Sequence, residues 1–113
     1  MLEKLEEKLA SGRDDALLRF SLGKAYLDRS DPEAAIRHFA RATELDASYS
    51  AAWKLLGKAL QACRRDSEAE QAWVTGVEAA RAKGDIQVAR EMEIFLKRMR
   101  RQPQDGSIPP GSP

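Results

Sequence analysis

One cysteine and one histidine are all that this 113-residue chain holds of the residues that most often bind metals or carry covalent chemistry. A lone Cys63 excludes an intrachain disulfide framework, and Cys63 with His38 falls short of the ligand set of a zinc site. One histidine cannot supply both halves of a nucleophile and base pair unless the fold brings it a partner. The seven glycines form neither a phosphate-cradling loop nor a dinucleotide fingerprint. No run approaches the roughly 20 apolar residues of a membrane span. The first ten residues mix Glu3, Lys4, Glu6, Glu7 and Lys8 with Leu2, Leu5 and Leu9, which is no secretory signal. A net charge of +1 and a pI near 7.9 give no global pull toward nucleic acid or anionic lipid. The expectation is a cytoplasmic, non-catalytic protein with no cofactor, no metal, no membrane and no nucleic-acid partner.

What the chain does have is an internal echo. Leu22-Gly23 matches Leu56-Gly57 at a spacing of 34 residues, and Ala35 matches Ala69, Phe39 matches Trp73, and Ala42 matches Gly76. A fixed period carried by small and large apolar residues is the signature of stacked helix-turn-helix units. Gly inside a helical run costs roughly 1 kcal/mol relative to Ala, so Gly23 and Gly57 call for a compensation, and close approach of a second helix supplies it. Composition fits one soluble helical domain, with 42% hydrophobic and 33% charged residues.

These residues follow the pattern of the tetratricopeptide repeat family, W-x2-L-G-x2-Y, then A-x3-F, then P. The first unit, about 16–49, resembles it through Leu22-Gly23-x-x-Tyr26 and Ala35-x-x-x-Phe39. The second, about 50–83, does so through Trp53-x-x-Leu56-Gly57-x-x-Leu60 and Ala69-x-x-x-Trp73. Arg19 departs from the opening aromatic, Leu60 from the Tyr, and Ala47 and Arg81 from the closing Pro. The resemblance implies an all-α fold, a right-handed superhelical stack of antiparallel helix pairs.

Apolar spacing and capping signals divide the chain into six helices, near 2–11, 15–29, 32–45, 48–63, 67–83 and 85–101. Asp31 followed by Pro32 and Glu33 is the sharpest start, Asp66 is expected to cap the fifth helix, and Gly84 to stop it. Residues 1–101 are read as a single domain. The last helix breaks register, for the strict period puts Arg90-Glu91 at the Leu-Gly positions. A two-residue slide puts Val88, Ala89, Met92 and Leu96 on the packing face and Glu93 at the Gly position, so this helix reads as a terminal cap. From Gln102 to Pro113 the density of Pro, Gly and Ser predicts a disordered tail, the Pro-x-x-Pro ending included.

In proteins the chain resembles, the first helix of each unit lines a groove that receives a peptide or a partner helix. The matching residues are Leu17, Phe20, Lys24 and Leu27 in unit one and Lys54, Lys58 and Gln61 in unit two. Three lysines with Phe20 among them fit a protein or peptide ligand with acidic residues and an apolar anchor, although a merely solvated face carries lysines too. The carboxylate clamp of co-chaperone members is disfavoured, since Phe20 and Leu55 stand at clamp positions and only Lys24 brings a matching charge. A second candidate surface is the last helix, where Val88, Ile94, Phe95 and Met99 exceed one packing stripe and would suit a homodimer or a larger assembly. Lys97, Arg98, Arg100 and Arg101 at its end suit the helix dipole, which is reason enough for them, and contact with nucleic acid or an acidic partner is the lesser alternative. His38 is expected to face away from the core, and Cys63 to be a half-buried filler.

Overall fold

The computed structural model describes residues 1–101, and these form six helices with no strand among them. In chain order α1 spans Leu2–Ala10, α2 Ala16–Asp28, α3 Pro32–Leu45, α4 Ser50–Ala62, α5 Asp66–Lys83 and α6 Ile86–Arg101. Each helix packs on the next, and α4 also touches α6. Two hairpins, α2/α3 and α4/α5, therefore stack with α1 and α6 as flanks. The segment 102–113, expected to be disordered, lies outside the described residues.

Capping residues set the helix starts. An Asp15 carboxylate oxygen accepts from the Leu18 amide at 2.8 Å, and Asp31 accepts from the Ala34 amide at 3.2 Å with Pro32 following at the first helical position. The fifth helix starts differently from the sequence expectation. Its cap residue is Arg65, with no side-chain cap bond, and Asp66 sits one place later. There Asp66 and Glu68 put negative charge in the first turn, against the positive end of the helix dipole. Gly84 ends α5 in the left-handed conformation, φ 84°, as a C-terminal cap.

The 34-residue echo extends to the backbone between the paired helices. Ser30 and Arg64 occupy equivalent places and both are left-handed, at φ 58° and 60°. After each, an amide reaches back into the preceding helix, Asp31 to the Tyr26 carbonyl and Arg65 to the Leu60 carbonyl, both at 2.9 Å. This closes the helix ends by hydrogen bonding, while a non-glycine residue in that conformation costs about 1–2 kcal/mol.

Inside each hairpin a glycine faces an aromatic ring. A Cβ on Gly23 would lie 2.5 Å from the Phe39 ring, and one on Gly57 would fall within the Trp73 indole. Phe39 and Trp73 are 0% and 1% exposed. The glycines thus leave notches into which the second helix drives a ring, the compensation that their helix cost required. Trp73 uses its notch further: Nε1 donates to the Lys54 carbonyl at 3.0 Å. Ala35 and Ala69 are fully buried beside these contacts.

The flanks attach by different means. On α1, Leu2, Leu5 and Leu9 pack against Leu18 and Leu22, and the Tyr26 hydroxyl donates to a Glu6 carboxylate oxygen at 2.6 Å. On α6, Ala89, Met92, Leu96 and Met99 are buried and Val88 packs against the same core. Gly76 makes room for both Met92 and Trp53, for a Cβ there would stand 2.6 Å from the Met92 sulfur and 2.6 Å from the Trp53 Cβ. The two-residue slide accounts for this seating.

Candidate functional site

The helices that open each unit, α2 and α4, carry the groove residues expected from sequence in two groups, and α4 adjoins α6. On α2, Leu17, Phe20, Lys24 and Leu27 recur at helical spacing. Leu17 and Lys24 are exposed, whereas Phe20 and Leu27 are half-buried against the core. The Lys24 ammonium stands 5.5 Å from the centre of the Phe20 ring, within cation–π range. Behind it, Phe20 meets Tyr49 at 4.9 Å and Phe39 at 5.8 Å. The ring is therefore held from two sides, and one edge remains available beside a cation. A shallow depression of about 260 Å³ lined by Met1, Ser21, Lys24, Ala25 and Asp28 flanks the pair.

On α4 the lysines have been taken up by α6. Lys54 is half-buried and its ammonium lies 3.2 Å from a Glu91 carboxylate oxygen. Lys58 stands 4.3 Å from the centre of the Phe95 ring. Gln61, one turn further, is exposed. Lys54 is thus less free to meet an incoming carboxylate than its position in sequence implies. Sequence reasoning missed Tyr49 and Glu91 here, and the signal for Glu91 was weak: it follows Lys54 by 37 residues, outside the strict period.

The last helix requires a correction. Of Val88, Ile94, Phe95 and Met99, read as an exposed association surface, Met99 is 4% exposed and belongs to the core. Val88 and Phe95 are half-buried against it, with Phe95 tilted on Trp73 at 5.2 Å. Only Ile94 is largely open, at 49%. The apparent surplus disappears because α6 has two neighbours, α5 and α4, and so buries two stripes.

A second correction concerns His38, which is buried. Its ring stacks on Tyr26 at 5.3 Å with planes 8° apart, and Arg19 Nη1 lies 3.1 Å from Nδ1. A guanidinium can only donate, so Nδ1 accepts and the imidazole is neutral, with its proton on Nε2. Burial, and then the Arg19 charge, hold His38 below the ordinary imidazole pKa. Arg19 is itself held by Asp14 at 2.7 Å, which Arg41 also approaches at 3.4 Å. Arg19 stands where the repeat pattern has an aromatic, and the Tyr26–His38 stack with the Arg19 contact is what fills that place. Cys63 is half-buried, and burial, followed by the nearby Glu33 carboxylate, raises its thiol pKa, which disfavours the nucleophilic thiolate. Among the described residues no three His, Cys, Asp or Glu side chains are grouped to hold a metal, and no helix is long and apolar enough to cross a membrane.

Stacked antiparallel hairpins, each closed by an aromatic ring in a glycine notch, define a helical-repeat protein of two full units with flanking helices. Comparison with known proteins gives the particular kind. No family model matches the chain. The chain is 52% identical over 101 residues to TPR repeat-containing protein PA0015 of Pseudomonas aeruginosa, covering 89% of this chain and 96% of that one. It is similar to the solution structure of protein BPP2914 from Bordetella parapertussis, with 46% identity, a TM-score of 0.77, and coverage of 89% and 88%. A tetratricopeptide repeat domain protein of Salinibacter ruber shares the fold at 23% identity and a TM-score of 0.72, covering 77% of this chain and 97% of its own. The chain belongs to the tetratricopeptide repeat family.

Proposed function

We propose that the protein is a non-catalytic interaction module or adaptor whose α2/α4/α6 face takes a protein or peptide segment bearing carboxylates and an apolar anchor. The observation that carries this reading is the pair of lysine–aromatic contacts on that face, Lys24 on Phe20 and Lys58 on Phe95. Each places an apolar surface and a positive charge within one side chain's reach, which is what an acidic residue next to an apolar one requires. Tetratricopeptide repeats generally mediate contacts between proteins, Nδ1 of His38 is already engaged by Arg19, and the raised thiol pKa of Cys63 disfavours its thiolate. The reading rests on the α2 group and Lys58, with Lys54 secondary because Glu91 already engages it.

Affinity capture from native cell extract, comparing wild type with Lys24→Glu/Lys58→Glu, tests the reading. Both residues are exposed, so circular dichroism should show an unchanged fold. Capture of a specific partner by wild type and its loss in the double variant is the expected outcome. Equal capture by a folded double variant refutes the assignment. A homodimer through α6 has no supporting observation, since that helix spends Met99, Phe95 and Val88 on the core.

A further inference from the structure

Two shallow depressions meet on the exposed ridge of α5, and neither contains a residue of the groove set. One, of about 320 Å³, lies between α5 and the end of α6 and is lined by Glu70, Gln71, Val74, Thr75 and Arg100. The other, of about 330 Å³, has Trp53, Leu56 and Leu60 of α4 with Ala72 of α5, and it shares Gln71 and Thr75 with the first. Both shared residues are exposed, so the two depressions form one track over the α5 ridge. Its far end is apolar. Trp53 is half-buried there, its ring fixed by the Nε1 bond to the Ala47 carbonyl at 2.9 Å. At the near end Val74 is 39% exposed.

We infer that this track is the docking site of the chain's own residues 102–113. The near depression contains Arg100, one residue before α6 ends at Arg101, so the segment leaves the helix at the entrance of the track. Its composition denies it a core of its own, and the track supplies an apolar surface from outside it. The segment holds Pro103, Pro109, Pro110 and Pro113, a single charged side chain in Asp105, and one large apolar side chain in Ile108. Proline favours the extended polyproline conformation, which makes no internal hydrogen bonds and docks on aromatic-lined grooves with little entropy left to lose. At roughly 3.1 Å per residue, the chain from Arg101 to Ile108 reaches about 20 Å, against a helix diameter of about 10–12 Å. Ile108, Pro109 and Pro110 thus cross the α5 ridge onto Trp53, Leu56 and Leu60, and the Gln71 amide and Thr75 hydroxyl supply donors for the carbonyls that pass them. Attachment selects this occupant. A short tether gives an effective concentration in the millimolar range, so a contact too weak to hold a separate peptide or the tail of a second copy suffices here. Docked on the track, the segment stays out of the groove.

The test is nuclear Overhauser spectroscopy on the whole chain, isotopically labelled. Expected are contacts from the Ile108 methyls and the Pro109 and Pro110 rings to the Trp53 indole and the Thr75 methyl, undiminished on dilution. Ile108→Asp/Pro109→Ser should abolish them and move the Trp53, Gln71 and Thr75 resonances, while the Lys24 and Lys58 amides stay in place. Thr75→Arg, which obstructs the track from the other side, should abolish them too. Thr75 is exposed, so an unchanged unfolding midpoint will show that variant folded. Absence of any contact between Ile108 and α4 or α5 would overturn the inference. Contacts from Ile108 to Phe20, Lys24 or Lys58 would overturn it by putting the segment in the groove. Contacts that fade on dilution would assign the track to the tail of a second copy and overturn it equally.

Discussion

Replacing Gly57 with Ala opposes two physical effects whose sum has a definite sign. In an unobstructed helix interior the change is favourable by about 1 kcal/mol, because Ala loses less backbone entropy on folding. Here the new methyl would occupy the Trp73 indole, so α5 must move outward. Overpacking of this kind costs about 1–3 kcal/mol. The same movement strains the Trp73 Nε1 bond to the Lys54 carbonyl, and losing a buried hydrogen bond costs about another 1–2 kcal/mol. The net is a loss of about 1–4 kcal/mol, read as a fall in the urea midpoint followed by far-UV circular dichroism. Trp73→Leu supplies the decisive control, since a smaller side chain frees the notch. In that background Gly57→Ala should be neutral or stabilising, giving a large positive coupling. Equal or greater stability of Gly57→Ala in the wild-type background would refute the notch argument.

Other substitutions test separate links. Arg64→Gly relieves the left-handed backbone and should raise stability by about 1 kcal/mol; an unchanged or lower thermal midpoint would contradict the strain. Asp31→Ala removes a capping bond and should cost about 1 kcal/mol, whereas Asp66→Ala, which removes only a first-turn charge, should cost a few tenths; equal losses would restore Asp66 as a cap. His38 has a depressed pKa in the folded protein, so the unfolded chain binds its proton first as pH falls. The stability it contributes is present above the ordinary imidazole value near 6.5 and is lost as pH drops below it toward the folded value. Unfolding midpoints between neutral and mildly acidic pH should fall in wild type and flatten in His38→Gln, and an identical slope in both would contradict the buried neutral imidazole.

The hairpin units were legible in sequence because their determinants are packing identities at fixed spacing: Gly23 with Phe39 and Gly57 with Trp73 announce one contact twice. Helix ends were legible where a side chain makes the cap, as at Asp31, and drifted where backbone geometry does, as at Arg65. Three residues eluded local reasoning for the same cause, which is partnership across helices. His38 looks solvated between Arg37 and Phe39, yet Tyr26 and Arg19 on α2 enclose it, and Arg19 in an aromatic position was the one available hint. Phe95 looks surplus on a helix with a single neighbour, but α6 has two. Lys54 looked free until Glu91, on a helix out of register, came to meet it.

Mapping the footprint of a captured partner on isotopically labelled protein tests the central claim most directly. The account predicts that shifts centre on Phe20, Lys24, Lys58 and Phe95 and that they vanish in Lys24→Glu/Lys58→Glu. A footprint confined to the exposed surfaces of α3 and α5, unchanged in that variant, would contradict it.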